Sequence, residues 1–311
     1  LSRLYLNAEV YTGKANWEGA QTYAGKAIAS RYSLCTTGKN GYSAYQLLFM
    51  GDNDTNGAQT EIVLPAIHDG IDTQTWGGCL FIITSTNGKE DGKPIIDLGS
   101  SESWGGNRAT MQYVQKFVAD DSNIKDIKNP ADVAAAAGDD RALLYGGDGR
   151  TVETEKIGTI TKGLAIIKWT NEHADGTTDY HDNTIPDTDI PFLRLAEAYL
   201  TRAEANWRKG APEATVLADI NALRDRAHAK HWLGSDLTPL NFVKEWGREF
   251  YLEGRRRTDL RRFNLFTTNA YRWEWKGGVY EGTGVADYCN LYPIPQTDIS
   301  NNPNMHQNDG Y

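Results

Sequence analysis

The sequence predicts a mainly α fold: helix pairs at both ends of a long loop-rich section with a few short strands. Three observations predict it. Apolar residues recur at helical spacing over 1–29 and again over 192–266. The section between, roughly 36–190, is rich in Gly, Asp, Asn and Thr and holds only short apolar runs. At 311 residues, 40% of them hydrophobic, the chain can bury a large core.

Residues 1–29 read as a helical hairpin. "LSRLYLNAEVY" sets Leu1, Leu4, Ala8 and Tyr11 on one face with no cap before them, so the chain is expected to open inside a helix, with an N-terminal portion missing. That helix should end near Thr12-Gly13. The next should start around Asn16 and bury Trp17, Ala20, Ala24 and Ala27. In the loop-rich section, "TEIVLPAI" (60–67), "CLFIIT" (79–84) and "GLAIIKW" (163–169) read as strands or buried connectors.

A second helix pair follows at 192–230, its turn marked by Gly210 and Pro212. Ala8 and Ala203, each followed by Glu, sit where helices could cross closely, as in tetratricopeptide repeats of about 34 residues. A third helical region opens with Thr238 as N-cap and Pro239 at the first helical position. Phe242, Trp246 and Phe250 form its buried stripe, which Leu260, Phe263 and Phe266 extend. Beyond 264, Pro293, Pro295 and Pro303 forbid regular helix.

The net charge of -9 argues against non-specific nucleic-acid binding. "EGRRRTDLRRF" (253–263) nevertheless holds five arginines. Residues 238–266 carry seven Lys/Arg against four Asp/Glu, a balance of +3, which leaves -12 elsewhere. Glu245 lies three residues before Arg248, Glu253 four before Arg257, and Arg255 four before Asp259. The arginines therefore read as scaffolding on a solvated face that ties down acidic neighbours.

Cys35, Cys79 and Cys289 have no zinc spacing, and sequence cannot pick a disulfide pair. No apolar run reaches the roughly 18 residues of a membrane helix. Asp52, Asp54, Asn56 and Gly57 match half of a calcium loop, but the position for its final Glu is Val63. The stretch 173–182, with His173 and His181, reads as a solvated loop. No metal or cofactor is expected. Nor is there a G-x-S-x-G or H-E-x-x-H motif.

Three stretches, in order, resemble the SusD/RagB family of outer-membrane nutrient-binding lipoproteins: "DTDIPFLRLAEAYLTRAEA" (187–205), "EFYLEGRRRTDLRRF" (249–263) and "LYPIPQTDISNNPNMHQNDGY" (291–311). "EIVLPAIHDG" (61–70) also matches the segment after that family's second helical repeat. The resemblance implies one SusD-like domain over 1–311, a tetratricopeptide-like stack of helix pairs with a loop-rich subdomain laid against it. Its parts are a helical repeat (1–35), a loop-rich ligand-binding subdomain (36–190), two further repeat regions (191–266) and a C-terminal loop segment (267–311). It further implies a protein without catalytic residues, lipid-anchored through the missing N-terminal part to the outer face of the outer membrane. Such a protein captures an oligosaccharide or polysaccharide and passes it to a SusC-like TonB-dependent transporter. A glycan-active hydrolase and a structural repeat protein that binds other proteins are the alternatives from other classes.

Sugars bind by stacking on exposed aromatic rings, with polar side chains fixing the hydroxyls. Aromatics in glycine-rich loops, where no core claims them, are the candidates: Trp104 with Asn107 and Arg108 in "SESWGGNRAT", and Trp76 in "DTQTWGG". Trp104 could instead plug its loop onto the helical layer, with Arg108 as a brace. "AYRWEWKGGVYEG" adds Trp273 and Trp275, which share a side if that run is extended. Trp17, Trp207, Trp232 and Trp246 read as core.

Overall fold

The computed structural model describes residues 1–90, 92–159 and 161–311. Its backbone is a layer of helices. Trp17–Ile28 packs along Leu195–Arg208, which packs in turn along Glu213–Arg226. Buried Ala20 and Ala24 on the first helix meet clusters holding Ala196, Ala198 and Ala205 on the second, and such small side chains let the backbones approach. Gly210 closes the second helix in the left-handed conformation (φ 71°), which glycine adopts without a Cβ clash, and Pro212 opens the third.

Asn16 and Thr238 cap their helices as the sequence predicts, accepting from the amides of Gly19 (2.9 Å) and Asn241 (3.3 Å). Phe242 and Trp246 of Pro239–Glu249 and Phe250 at its C-cap are buried, and so is Trp232. Trp17 and Trp207 are only half-buried. All three cysteines are free.

Three expectations are corrected, besides the helix-free C-terminal segment, in which Pro295 is the N-cap of a short helix, Gln296–Asn301. The first helix is broken at Asn7 into Ser2–Leu6 and Ala8–Thr12, and Leu1, Leu4 and Tyr11 are exposed while Leu6 and Asn7 are buried. Asn7 turns inward because its Oδ1 accepts from the buried Arg262 guanidinium (3.0 Å), which would otherwise lack that acceptor.

The arginine-rich segment is not a solvated face either. Arg255, Asp259 and Arg262 are buried, and Arg262 forks onto Glu204 of the neighbouring helix at 2.8 and 2.9 Å. Glu253 pairs with Arg194 (2.8 Å) and Lys168 (2.6 Å) rather than with Arg257. Arg257 instead donates to the carbonyls of Cys289 and Asn290 and so holds down the C-terminal segment. The pairs Glu245–Arg248 (2.8 Å) and Arg255–Asp259 (3.7 Å) do form.

Third, "CLFIIT" is neither strand nor connector but lies within a helix, Gly78–Thr86. Short apolar runs are ambiguous by periodicity, and here burial of Cys79, Leu80 and Ile83 on one side decides for helix.

The strands are few. Ile62–Ala66 pairs antiparallel with Ile190–Arg194, with Ile62 opposite Arg194, and the second strand runs straight into Leu195–Arg208. This ribbon joins the loop-rich section to the helical layer. Within that section Leu144–Tyr145 pairs with Ala165–Ile166 over a core of Tyr45, Leu48, Phe49 and Trp169.

Candidate binding site

Both leading tryptophan candidates lie at the ends of the Gly78–Thr86 helix. Trp76 stands just before its first turn. Gly77 is the N-cap, and Gly78 takes φ 57° where an added Cβ would lie 2.9 Å from His68 Nε2. At the other end the last carbonyls of any helix lack intrahelical donors. Here the Trp104 loop supplies them: the amides of Trp104 and Gly105 donate to Thr84 O (2.9 and 3.0 Å), and Asn107 N donates to Ser85 O (2.8 Å). Gly105 and Gly106, at φ 67° and 111°, make that turn possible.

One helix thus brings two distant loops together. The indoles of Trp76 and Trp104 stack, centroids 6.4 Å apart and planes 22° apart. Both are exposed, Trp76 by 64% and Trp104 by 42%. Phe81, from the middle of the helix and 49% exposed, adds a third ring 6.3 Å from Trp104. Sequence reasoning missed Phe81 because it lies in the run read as a strand; its helical neighbours Leu80 and Ile83 point the other way, into the core.

The polar partners divide. Trp104 Nε1 donates to Glu102 (2.9 Å), which fixes the ring's orientation. Asn107 Nδ2 donates to Ser85 Oγ (2.9 Å). Arg108 gives four of its five N–H donors to backbone carbonyls: Gly106 (3.2 Å), Ile157 (2.6 Å), Thr159 (2.6 Å) and Lys162 (2.8 Å). It knits the Trp104 loop to the 157–162 loop.

Beside Trp76 a groove of about 450 Å³ is lined by Gln74, Thr75, Asp182, Thr184 and Ile185. Ser100 and Ser101 tie the same 182–185 turn to the Trp104 loop, through Thr184 O (2.8 Å) and Asn183 O (2.8 Å). Amides of Ile185 and Thr184 lower the Asp182 pKa, and those of Thr73 and Ile71 hold Asp69 at about 2. Both carboxylates are ionised at neutral pH and can accept from hydroxyls.

Trp273 and Trp275 do not form the paired platform that an extended run would give. Trp275 has φ 68°, so the chain turns between them. Trp273 stacks on Phe266 at 6.2 Å, whereas Trp275 packs edge-on against Tyr280 at 6.0 Å and donates to Thr154 O (2.9 Å).

Asp52 spends its carboxylate on Asn56 Nδ2 and the Ala174 amide, both 3.0 Å away, which makes a polar turn. Among the described residues no group of three or more His, Cys, Asp or Glu could hold a metal. His173 and His181 face Asp179 (3.4 Å) and Asp187 (3.0 Å) respectively.

Residues 145–311 match the model of the SusD family. The chain is 46% identical, over 342 aligned positions, to the starch-binding protein SusD of Bacteroides thetaiotaomicron, and the match takes in all of this chain and 59% of that relative. The chain therefore spans about three-fifths of its relative's length. Among solved structures it resembles a SusD-like protein from Bacteroides fragilis with a TM-score of 0.68 at 17% identity, covering 100% of this chain and 64% of that one. It also resembles surface glycan-binding protein A from Bacteroides thetaiotaomicron, with a TM-score of 0.61 at 16% identity, covering 99% and 62%. At such identities the structural likeness speaks for the fold.

Proposed function

The chain belongs to the SusD family, and from that premise we propose that it captures glycan at the cell surface without cleaving it. The observation that carries this reading is the exposed, stacked Trp76–Trp104 pair, flanked by Phe81 and by a groove with ionised Asp182. Stacked rings offer a continuous apolar surface to the C–H faces of sugars, and no core packing requires it. Backbone hydrogen bonds hold the Trp104 loop to the helix that Trp76 leads into, so little order is lost at Trp104 when ligand docks.

An α-glucan is the first ligand to test, because the relative that is 46% identical is named a starch-binding protein. Delivery to a SusC-like TonB-dependent transporter, and attachment to the outer membrane through a lipid anchor, complete the proposal. Both rest on family membership. Titrating maltooligosaccharides into the wild-type protein and Trp76→Ala/Trp104→Ala by calorimetry tests it. We expect saturable binding without product formation that the double substitution abolishes. Chain cleavage, or undiminished affinity in the variant, would overturn it.

A further inference from the structure

A second cavity lies away from the stacked pair, between Pro239–Glu249, Arg256–Arg262 and the segments 110–116 and 266–273. Its volume is about 310 Å³, at the small end of the range for small-molecule sites. Tyr113, Trp246, Phe250, Phe266, Tyr271 and Trp273 give it aromatic walls. Trp273, which makes no platform with Trp275, has its ring here.

The cavity also holds basic side chains that no carboxylate among the described residues pairs with. Lys116 is 7% exposed, and its Nζ donates to the Gln112 carbonyl (2.9 Å). Arg256 reaches it across Gly247, where an added Cβ would lie 2.8 Å from Lys116 Cε and 3.0 Å from an Arg256 terminal nitrogen. Burial and then Arg256, Arg248 and Lys244 hold the Lys116 pKa well below its usual value, and among the described residues no carboxylate opposes them. Asp259 also lines the cavity, but it serves Arg262 (2.9 Å) and Arg255 (3.7 Å). Arg256 donates to Val243 O (2.6 Å) and to the Tyr271 hydroxyl, neither of which carries charge.

We propose that this cavity is a binding site for a small organic anion, an aryl carboxylate whose ring packs among the aromatic side chains and whose carboxylate meets Lys116 and Arg256. The entering carboxylate favours the charged form of Lys116 and pairs with Arg256, and in a buried site such pairing counts most. The volume suits a single ring with a short acid arm, not an oligosaccharide.

The test uses the full chain and phenylacetate as probe, followed by tryptophan fluorescence and by calorimetry. We expect saturable binding, weaker by about tenfold or more for the neutral analogue 2-phenylethanol and in Lys116→Met, and unchanged in Trp104→Ala. Lys116→Gln serves if the Met variant fails to fold, and the neutral analogue on wild-type protein needs no variant. No saturation up to roughly 10 mM, equal affinity for the neutral analogue, or loss of binding in Trp104→Ala would overturn the assignment.

Discussion

Arg194 and Glu249 meet at 2.6 Å with side chains no more than 1% exposed. Arg194 ends the strand Ile190–Arg194 and Glu249 ends the helix Pro239–Glu249. The same carboxylate takes Arg141 from the loop-rich section (3.1 Å) and Arg226 from the end of Glu213–Arg226. Glu61, just before the pairing strand, bridges Arg194 and Arg226 at 3.1 and 3.0 Å. Each charge of this network is answered more than once, and the network joins the loops to the helical layer.

Removing one member leaves the others charged, buried and short of a partner. Glu249→Gln is expected to cost about 3–5 kcal/mol in urea denaturation. Lys209→Ala, which deletes an exposed pair with Glu18 (72% exposed), should cost less than about 1 kcal/mol. Equal effects of the two substitutions would show that the buried network does not hold the layers together.

The same network sets the response to acid. Burial alone would raise the Glu245 carboxyl, but Arg141, Arg248 and Arg224 outweigh it and hold the pKa at about 2. Glu197 reaches about 2 through Arg255 and Arg3, again against burial. Both lie below the value near 4.5 expected in the unfolded chain, so between about pH 4.5 and 2 the unfolded state binds more protons. Their stabilisation is therefore complete above pH 4.5 and lost as pH falls toward 2. Unfolding free energy measured across that window should drop steeply, and Glu245→Gln should flatten the slope. A stability that stays level down to pH 2 would refute this.

The helical layer was legible in the sequence because its signals are local. Asn16 and Thr238 as caps, Phe242, Trp246 and Phe250 as a stripe, and Gly210 as a stop each follow from spacing alone. What sequence could not supply was depth. The spacing that joins Glu253 to Arg257 on a solvated helix is overridden once Arg194 and Lys168, from 59 and 85 residues away, reach the same carboxylate. The candidate site was half legible: Trp76 and Trp104 stood out in glycine-rich loops. That one helix would stack them, and would add Phe81, depended on reading "CLFIIT" as helix, which its length and β-branched content did not favour.

The stacked indoles should act as one surface. Trp76→Ala and Trp104→Ala are each expected to weaken glycan binding by at least about tenfold, the effect of losing roughly 1.4 kcal/mol of contact. In the double variant the losses should fall short of additive, since each single change also frees the ring that remains. Phe81→Ala should cost less. Calorimetry on all four variants checks the pattern, and strict additivity would mean that the two rings hold separate sugars.

Arg108 separates bracing from direct contact. With four N–H groups committed to carbonyls of the 104–108 and 157–162 loops, its effect on ligand should pass through the position of Trp104. Arg108→Met is expected to cost about 1 kcal/mol in stability, because the freed carbonyls lie near water. It should also raise amide exchange in both loops and lower glycan affinity. Arg108→Lys should not restore affinity, since a single ammonium cannot span carbonyls that a planar fork reaches at once. If affinity falls while exchange in the loops stays at the wild-type level, Arg108 touches the sugar itself, and the bracing role is wrong.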